Sequence, residues 1–153
     1  MNALVEALIQ QGLTISTVES FTGGLMASRL TSIAGVSAVY RGSLVVYNES
    51  VKVELLDLDP VMLAHHGTIS AYCAKVMAQA GQKKFKSDVC IALSGNAGPT
   101  ALENQPVGQW YACIVFRDTV IETAQRSLLD RNALREAAVE TCAALALELI
   151  RGV

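Results

Sequence analysis

Two short segments carry the side chains best placed for covalent chemistry. They are Glu19-Ser20-Phe21-Thr22-Gly23-Gly24 and Ser94-Gly95-Asn96-Ala97-Gly98-Pro99. In the first, a serine hydroxyl precedes two glycines where a strand should turn into a helix. Unpaired backbone N–H groups at such a turn suit an anion or a developing oxyanion. The same glycines also fit close packing of a strand on a helix, with no chemistry at all. The patterns GxxxxGK[ST] and GxGxxG are absent from the turn, so it is neither a P-loop nor a dinucleotide fingerprint. A serine needs an activating base. His65 and His66 are the only imidazoles, and beside Gly67 they are expected in a surface loop, which discounts a Ser-His-Asp triad. A lysine kept neutral by burial can act instead. Composition does not choose among the lysines, and Lys52, in an expected short helix, starts as an ordinary solvated residue. Cys73, Cys90, Cys113 and Cys142 are widely spaced in apolar stretches, which reads as free buried thiols. With no CxxC or Cys/His cluster, neither a metal nor a cofactor is expected.

The elements that must position these residues follow from periodicity and caps. Apolar spacing predicts a helix over 2–11 stopped at Gly12. A strand follows over 13–18, then the 19–24 turn and a helix over 25–33. A second strand is expected at 43–47 and a short helix at 48–56. Ser70 is a good N-cap for a helix running to about residue 85. The unbroken apolar run 89–93 reads as a central strand buried on both faces. Two more strands at 107–116 and 120–126 precede a long closing helix at 131–150. Strands separated by helices give an α/β fold, expected as a three-layer α/β/α sandwich around one mixed, mostly parallel sheet of about five strands. In such folds ligands gather beyond the carboxyl ends of the strands, where both segments fall.

Composition narrows the function classes. The 153 residues are 52% hydrophobic and 17% charged, the opposite of a disordered chain, and they fit one domain over 1–153. The longest apolar run, 110–116, is far short of the ~20 residues a membrane helix needs. A net charge of −2 argues against a nucleic-acid partner. Lys83-Lys84-Phe85-Lys86 reads as cations complementing a helix C-terminus. The N-terminal stretch lacks a basic region before its apolar residues, so a cytoplasmic location is expected. Apolar helices at both ends of the sequence make a homo-oligomer the expected assembly.

The segment Thr17-Val18-Glu19-Ser20-Phe21-Thr22-Gly23-Gly24-Leu25 resembles the "ESCTGG" motif of the CinA C-terminal domain family. This family comprises competence/damage-inducible proteins and stand-alone nicotinamide-nucleotide amidases. The likeness continues through Ala34-Gly35-Val36-Ser37-Ala38 and through Val46-Tyr47-Asn48-Glu49-Ser50-Val51-Lys52. His66-Gly67-Thr68-Ile69-Ser70 is similar to an "HGAVS" turn, and Ala92-Leu93-Ser94-Gly95-Asn96-Ala97-Gly98-Pro99 to a "SGIAGP" loop. Pro106-Val107-Gly108, then Asp130-Arg131 with Arg135, complete a match over nearly the whole chain.

The resemblance implies hydrolysis of the carboxamide of nicotinamide mononucleotide to the nicotinate nucleotide and ammonia. It implies Ser20 as nucleophile and Lys52 as its base, with Ser37, Tyr47 and Ser94 orienting or polarising the pair. Substrate contacts would come from Thr22, Gly23 and Gly24, from Gly95, Asn96, Ala97 and Gly98, and from Arg131 and Arg135. Tyr47, five residues before Lys52, is expected to hydrogen-bond within the dyad. Three departures stand out: Phe21 replaces the usual Cys, Asn96 replaces an aliphatic residue, and 100–105 lacks the glycines of a "GPDGG" loop. They favour, as the alternative, a nucleotide-binding paralogue without turnover or with altered specificity.

Overall fold

The computed structural model describes residues 1–152. Helix α1 (Asn2–Gln11) ends on Gly12, whose φ of 65° closes the last turn. Strand β1 (Ile15–Glu19) leads through the glycine turn into helix α2 (Leu25–Thr31). A 3₁₀ turn (Val36–Ala38) then opens strand β2 (Tyr40–Val45). Helices α3 (Glu49–Leu56), α4 (Pro60–His66) and α5 (Ala71–Phe85) follow. Strands β3 (Val89–Gly95), β4 (Gln109–Phe116) and β5 (Thr119–Arg126) form a meander before helix α6 (Arg131–Arg151).

The sheet order is β2-β1-β3-β4-β5. β1 runs parallel to β2 and β3, while β4 and β5 are antiparallel additions. Successive side chains of a strand point to opposite faces, and the core divides accordingly. Val89, Ile91 and Leu93 pack with α1, α2 and α6. Cys90 and Ala92 pack with α3, α4 and α5. β3 is buried along almost its full length, as an unbroken apolar run between two helical layers requires. The buried hydroxyls of β1 are satisfied across the sheet: Ser16 meets Ser87 at 2.6 Å, and Thr17 donates to Ser43 at 2.7 Å.

Some boundaries differ from expectation. β2 begins at Tyr40 rather than at residue 43 because the 3₁₀ turn delivers the chain to the sheet edge earlier. Residues 60–66 form α4, so His65 and His66 occupy a final helical turn rather than a loop. Asp59 caps that helix, accepting from Val61 N at 2.8 Å and Met62 N at 3.3 Å, with Pro60 in the first turn. All four cysteines are buried and free. Among the described residues, no helix is long and apolar enough to cross a membrane.

Candidate active site

Register alone sets two hydroxyls level with each other. Glu19 pairs with Leu93 across β1 and β3, so Ser20 and Ser94, one residue beyond each, leave the sheet together. The Ser20 amide still donates to Leu93 O at 3.0 Å, holding the first residue of the turn against the neighbouring strand. On the other side Val46 N donates to Glu19 O at 2.8 Å. That bond fixes where the chain departs toward α3.

Helix α3 is capped by Asn48, whose Oδ1 accepts from Ser50 N at 3.0 Å. One turn in, Lys52 lies across the ends of the strands with only 2% of its surface exposed. Its Nζ donates to Ser20 Oγ at 3.2 Å and to the Tyr47 carbonyl at 3.3 Å. Burial pushes the Lys52 ammonium below the ordinary lysine value, opposed by its coupling to the Cys73 thiol and by the nearby acids Glu103 and Glu49. The Cys73 thiol is itself pushed up to about 11 by burial.

Ser20, Lys52, Ser94, Gly98, Leu102 and Arg131 share the wall of a recess of about 120 Å³. Ser94 is buried and donates to Thr68 O at 2.5 Å. Gly95, Asn96 and Ala97 complete that side. Gly95 cannot be larger, since a Cβ there would lie 2.6 Å from Trp110 Cβ. Asn96 spends its amide inside the protein. Its Nδ2 donates to Thr100 O at 2.9 Å and Gln105 O at 3.2 Å, and its Oδ1 accepts from Gly98 N at 2.8 Å.

The 100–105 segment replaces glycines with a tight hairpin. Leu102 and Gln105 exchange backbone bonds of 3.1 and 2.8 Å around Glu103 and Asn104, both at positive φ. Glu103 then fastens the hairpin to the turn before α5, accepting from Thr68 N at 2.7 Å, Ile69 N at 3.1 Å and the Thr68 hydroxyl. Leu102 is thereby set at the mouth of the recess.

Tyr47 also lines the recess, but its contact to the dyad is made by its backbone carbonyl and the residue as a whole is 60% exposed. Other expected site residues fall elsewhere. Ser37 is exposed in the 3₁₀ turn before β2, at the opposite end of the parallel strands. The six residues of β2 separate it from the recess, about 20 Å at ~3.3 Å per residue. Thr22, Gly23 and Gly24 lie outside the wall, Thr22 fully buried, and the two glycine amides are engaged: Gly23 N with Ser20 O at 3.0 Å, Gly24 N with Glu19 Oε2 at 3.1 Å. The turn is thus not an open anion cradle. Phe21 and Thr22 keep backbone N–H groups without a partner among the described residues.

Phe21 lines the recess, yet its side chain belongs to the core, with its ring edge against Gly95. Arg135 points away from the recess and clamps Thr22 O through Nε at 3.2 Å and Nη2 at 2.6 Å. Four residues earlier on α6, Arg131 donates to Gly98 O. One face of α6 therefore grips both loops that border the recess.

Sequence reasoning passed over Glu19, Glu103 and Thr68. The acid before Ser20 was visible, but its use as a cap depends on the shape of the turn. Glu103 reaches a turn some 35 residues away, which no local pattern announces.

The CinA C-terminal domain family matches residues 1–152. A relative from Mycoplasma pneumoniae, described as "Protein MG115 homolog", is 39% identical over 138 residues, covering 90% of this chain and 88% of that protein. A "CinA-like protein" of Pseudothermotoga lettingae is 42% identical over 113 residues, covering 73% of this chain but only 28% of that longer protein. Among solved structures, a competence-damaged protein (CinA) superfamily protein from Klebsiella pneumoniae superposes with a TM-score of 0.96 at 29% identity, covering 99% of this chain and 96% of the other. A competence/damage inducible protein from Agrobacterium tumefaciens gives 0.89 at 31% identity, covering 97% and 94%.

Proposed function

The chain belongs to the CinA C-terminal domain family, and on that footing we propose that it is a Ser-Lys amidohydrolase acting on nicotinamide mononucleotide. The observation that carries this reading is the buried contact of 3.2 Å between Lys52 Nζ and Ser20 Oγ. A neutral amine with one N–H on the Tyr47 carbonyl keeps its lone pair for the serine proton.

In the proposed reaction Lys52 takes the Ser20 proton as Oγ bonds to the carboxamide carbon. The oxyanion is met by the N–H group of Phe21, the turn residue beside Ser20 that lines the recess. Collapse breaks the C–N bond, and Lys52 returns the proton so that ammonia leaves. Water then attacks the acyl-serine, Lys52 takes its proton, and Ser20 regains it as the nicotinate nucleotide departs. A recess of 120 Å³ lies below the ~300 Å³ at which sites usually enclose a whole ligand. It suits the ring carrying the carboxamide, leaving the ribose phosphate at the mouth beside Arg131.

The test is ammonia release from nicotinamide mononucleotide by the purified protein, with Ser20→Ala as control. No turnover above that control overturns the reading. A Lys52→Ala variant with wild-type rate at pH 8 refutes the dyad whatever the substrate. A second reading, nucleotide binding without turnover, is favoured by the apolar Leu102 on the recess wall, in the segment that lacks the family's glycines. It is supported if the nucleotide raises the melting temperature while no ammonia appears.

A further inference from the structure

We propose that Glu19 is a positioning residue for the nucleophile, setting the backbone of the Ser20 turn and deciding which of its amides remain available. This rests on Ser20 being the reactive hydroxyl. Glu19 ends β1 and is fully buried. Its backbone is committed to both neighbouring strands, paired with Val45 on one side and Leu93 on the other.

The side chain leaves the sheet toward α2. Oε2 accepts from Gly24 N and Met26 N, each at 3.1 Å, and Oε1 accepts from Ala27 N at 2.9 Å. Gly24, the cap position of α2, has no side chain to do this work. The carboxylate therefore closes a ring around residues 20–23, joining the strand that ends before Ser20 to the helix that starts after it.

Two further contacts tighten the ring. Gly23 N donates to Ser20 O at 3.0 Å, and Arg135 holds Thr22 O. With the Gly23 and Gly24 amides occupied and Thr22 fully buried, Phe21 is the turn residue on the recess wall whose N–H has no partner among the described residues. Without Glu19, three helix amides lose their acceptor and the turn is free to rotate about its glycines. Both the aim of Oγ toward Lys52 and the direction of the free amide would then be lost.

Glutamine is the discriminating substitution. Its one amide oxygen can still accept, but its NH₂ must face at least one of the three N–H donors. Glu19→Gln and wild type are compared in kcat and KM for nicotinamide mononucleotide. The rate at which phenylmethylsulfonyl fluoride labels Ser20 is read by intact mass. Asp59→Ala, which removes the cap of α4, serves as the control for a purely structural loss.

Expected is a fall of roughly 10- to 100-fold in kcat, the scale of a displaced reacting group. KM stays within about two-fold, because the displaced groups act on the oxyanion and the nucleophile in the transition state while those proposed to bind the ground-state substrate are unchanged. Labelling of Ser20 slows in parallel, whereas Asp59→Ala lowers the melting temperature and leaves labelling unchanged. Wild-type kcat and labelling in Glu19→Gln, or a rise in KM alone, overturn the proposal. If the wild-type protein releases no ammonia, the amidase reading fails by itself, and the labelling rates still decide the role of Glu19.

Discussion

Replacing Asn96 with alanine removes three hydrogen bonds at once, two donated to Thr100 O and Gln105 O and one accepted from Gly98 N. At a net ~1 kcal/mol for each bond the upper bound is about 3 kcal/mol. Thr100 is exposed and Gln105 half-buried, so water takes over part of the lost pairing and the expected cost is about 2 kcal/mol. For a chain of 153 residues that corresponds to a fall of roughly 4–8 °C in melting temperature. The loss should be local. Asn96 N on Gln109 O and Gly108 N on Asn96 O, both at 2.8 Å, are backbone bonds that the substitution leaves in place. Hydrogen exchange should accelerate at the Gly98 amide and stay unchanged at the Ser20 amide, which is bonded to β3. Asn96→Asp should be worse than alanine, since it keeps the acceptor for Gly98 N but sets a carboxylate against two carbonyl oxygens. In turnover, KM should rise while kcat is largely kept, because Ser20 and Lys52 are carried by β1 and α3 rather than by this loop. A melting temperature within about 1 °C of wild type, with Gly98 exchange unaltered, would refute the brace.

Lys52 and Gly81 give sharper tests of the surroundings. The rate should climb with pH as the Lys52 amine deprotonates, with its midpoint below the ordinary lysine value because burial disfavours the charge. Glu103→Gln removes a negative charge that opposes this effect, so the limb should move to lower pH; movement to higher pH would contradict the assignment. Since the folded form of Lys52 has the lower pKa, the unfolded chain binds more protons between the two values. Stability should therefore rise with pH through that window, and Lys52→Met should abolish the rise, as urea titrations at several pH values would read. Gly81→Ala would put a Cβ 2.4 Å from Val18 Cγ2 and 2.8 Å from Cys90 Sγ. An overpacking cost of about 3 kcal/mol should lower the melting temperature by roughly 6–12 °C, and an unchanged value would show that α5 can lift from the sheet freely.

Much of the scaffold was legible because its signals are local. Gly12 ends α1, Ser70 and Asp130 cap α5 and α6, and the 89–93 run lies in a strand covered on both sides. Helix α4 escaped because only Leu63 in it is buried while Val61 and Met62 face solvent, so no apolar stripe marks it. Its Asp59-Pro60 start was the signal available. The nearness of Ser20 and Lys52, 32 residues apart, came from resemblance and not from any pattern in the chain. Resemblance also named Ser37, which the fold carries to the far end of the sheet. Asn96 was visible as a departure, but its reason was not. The carbonyls it braces lie on a hairpin whose shape depends on positive φ at Glu103 and Asn104; asparagine adopts that conformation readily, but glutamate seldom does.

The pairing of β1 with β3 also governs when the site comes into being. Within the meander Gly95 meets Trp110 across 15 residues, whereas Ile15 meets Val89 across 74. Closing the longer loop costs about 1.4 kcal/mol more in chain entropy, which favours assembly of the meander of β3, β4 and β5 before β1 docks. Ser20 and Ser94 belong to opposite sides of that late seam. A chain that has built only its meander carries half of the recess and no nucleophile beside it, so reactivity of Ser20 reports that β1 has docked and not merely that the meander has formed.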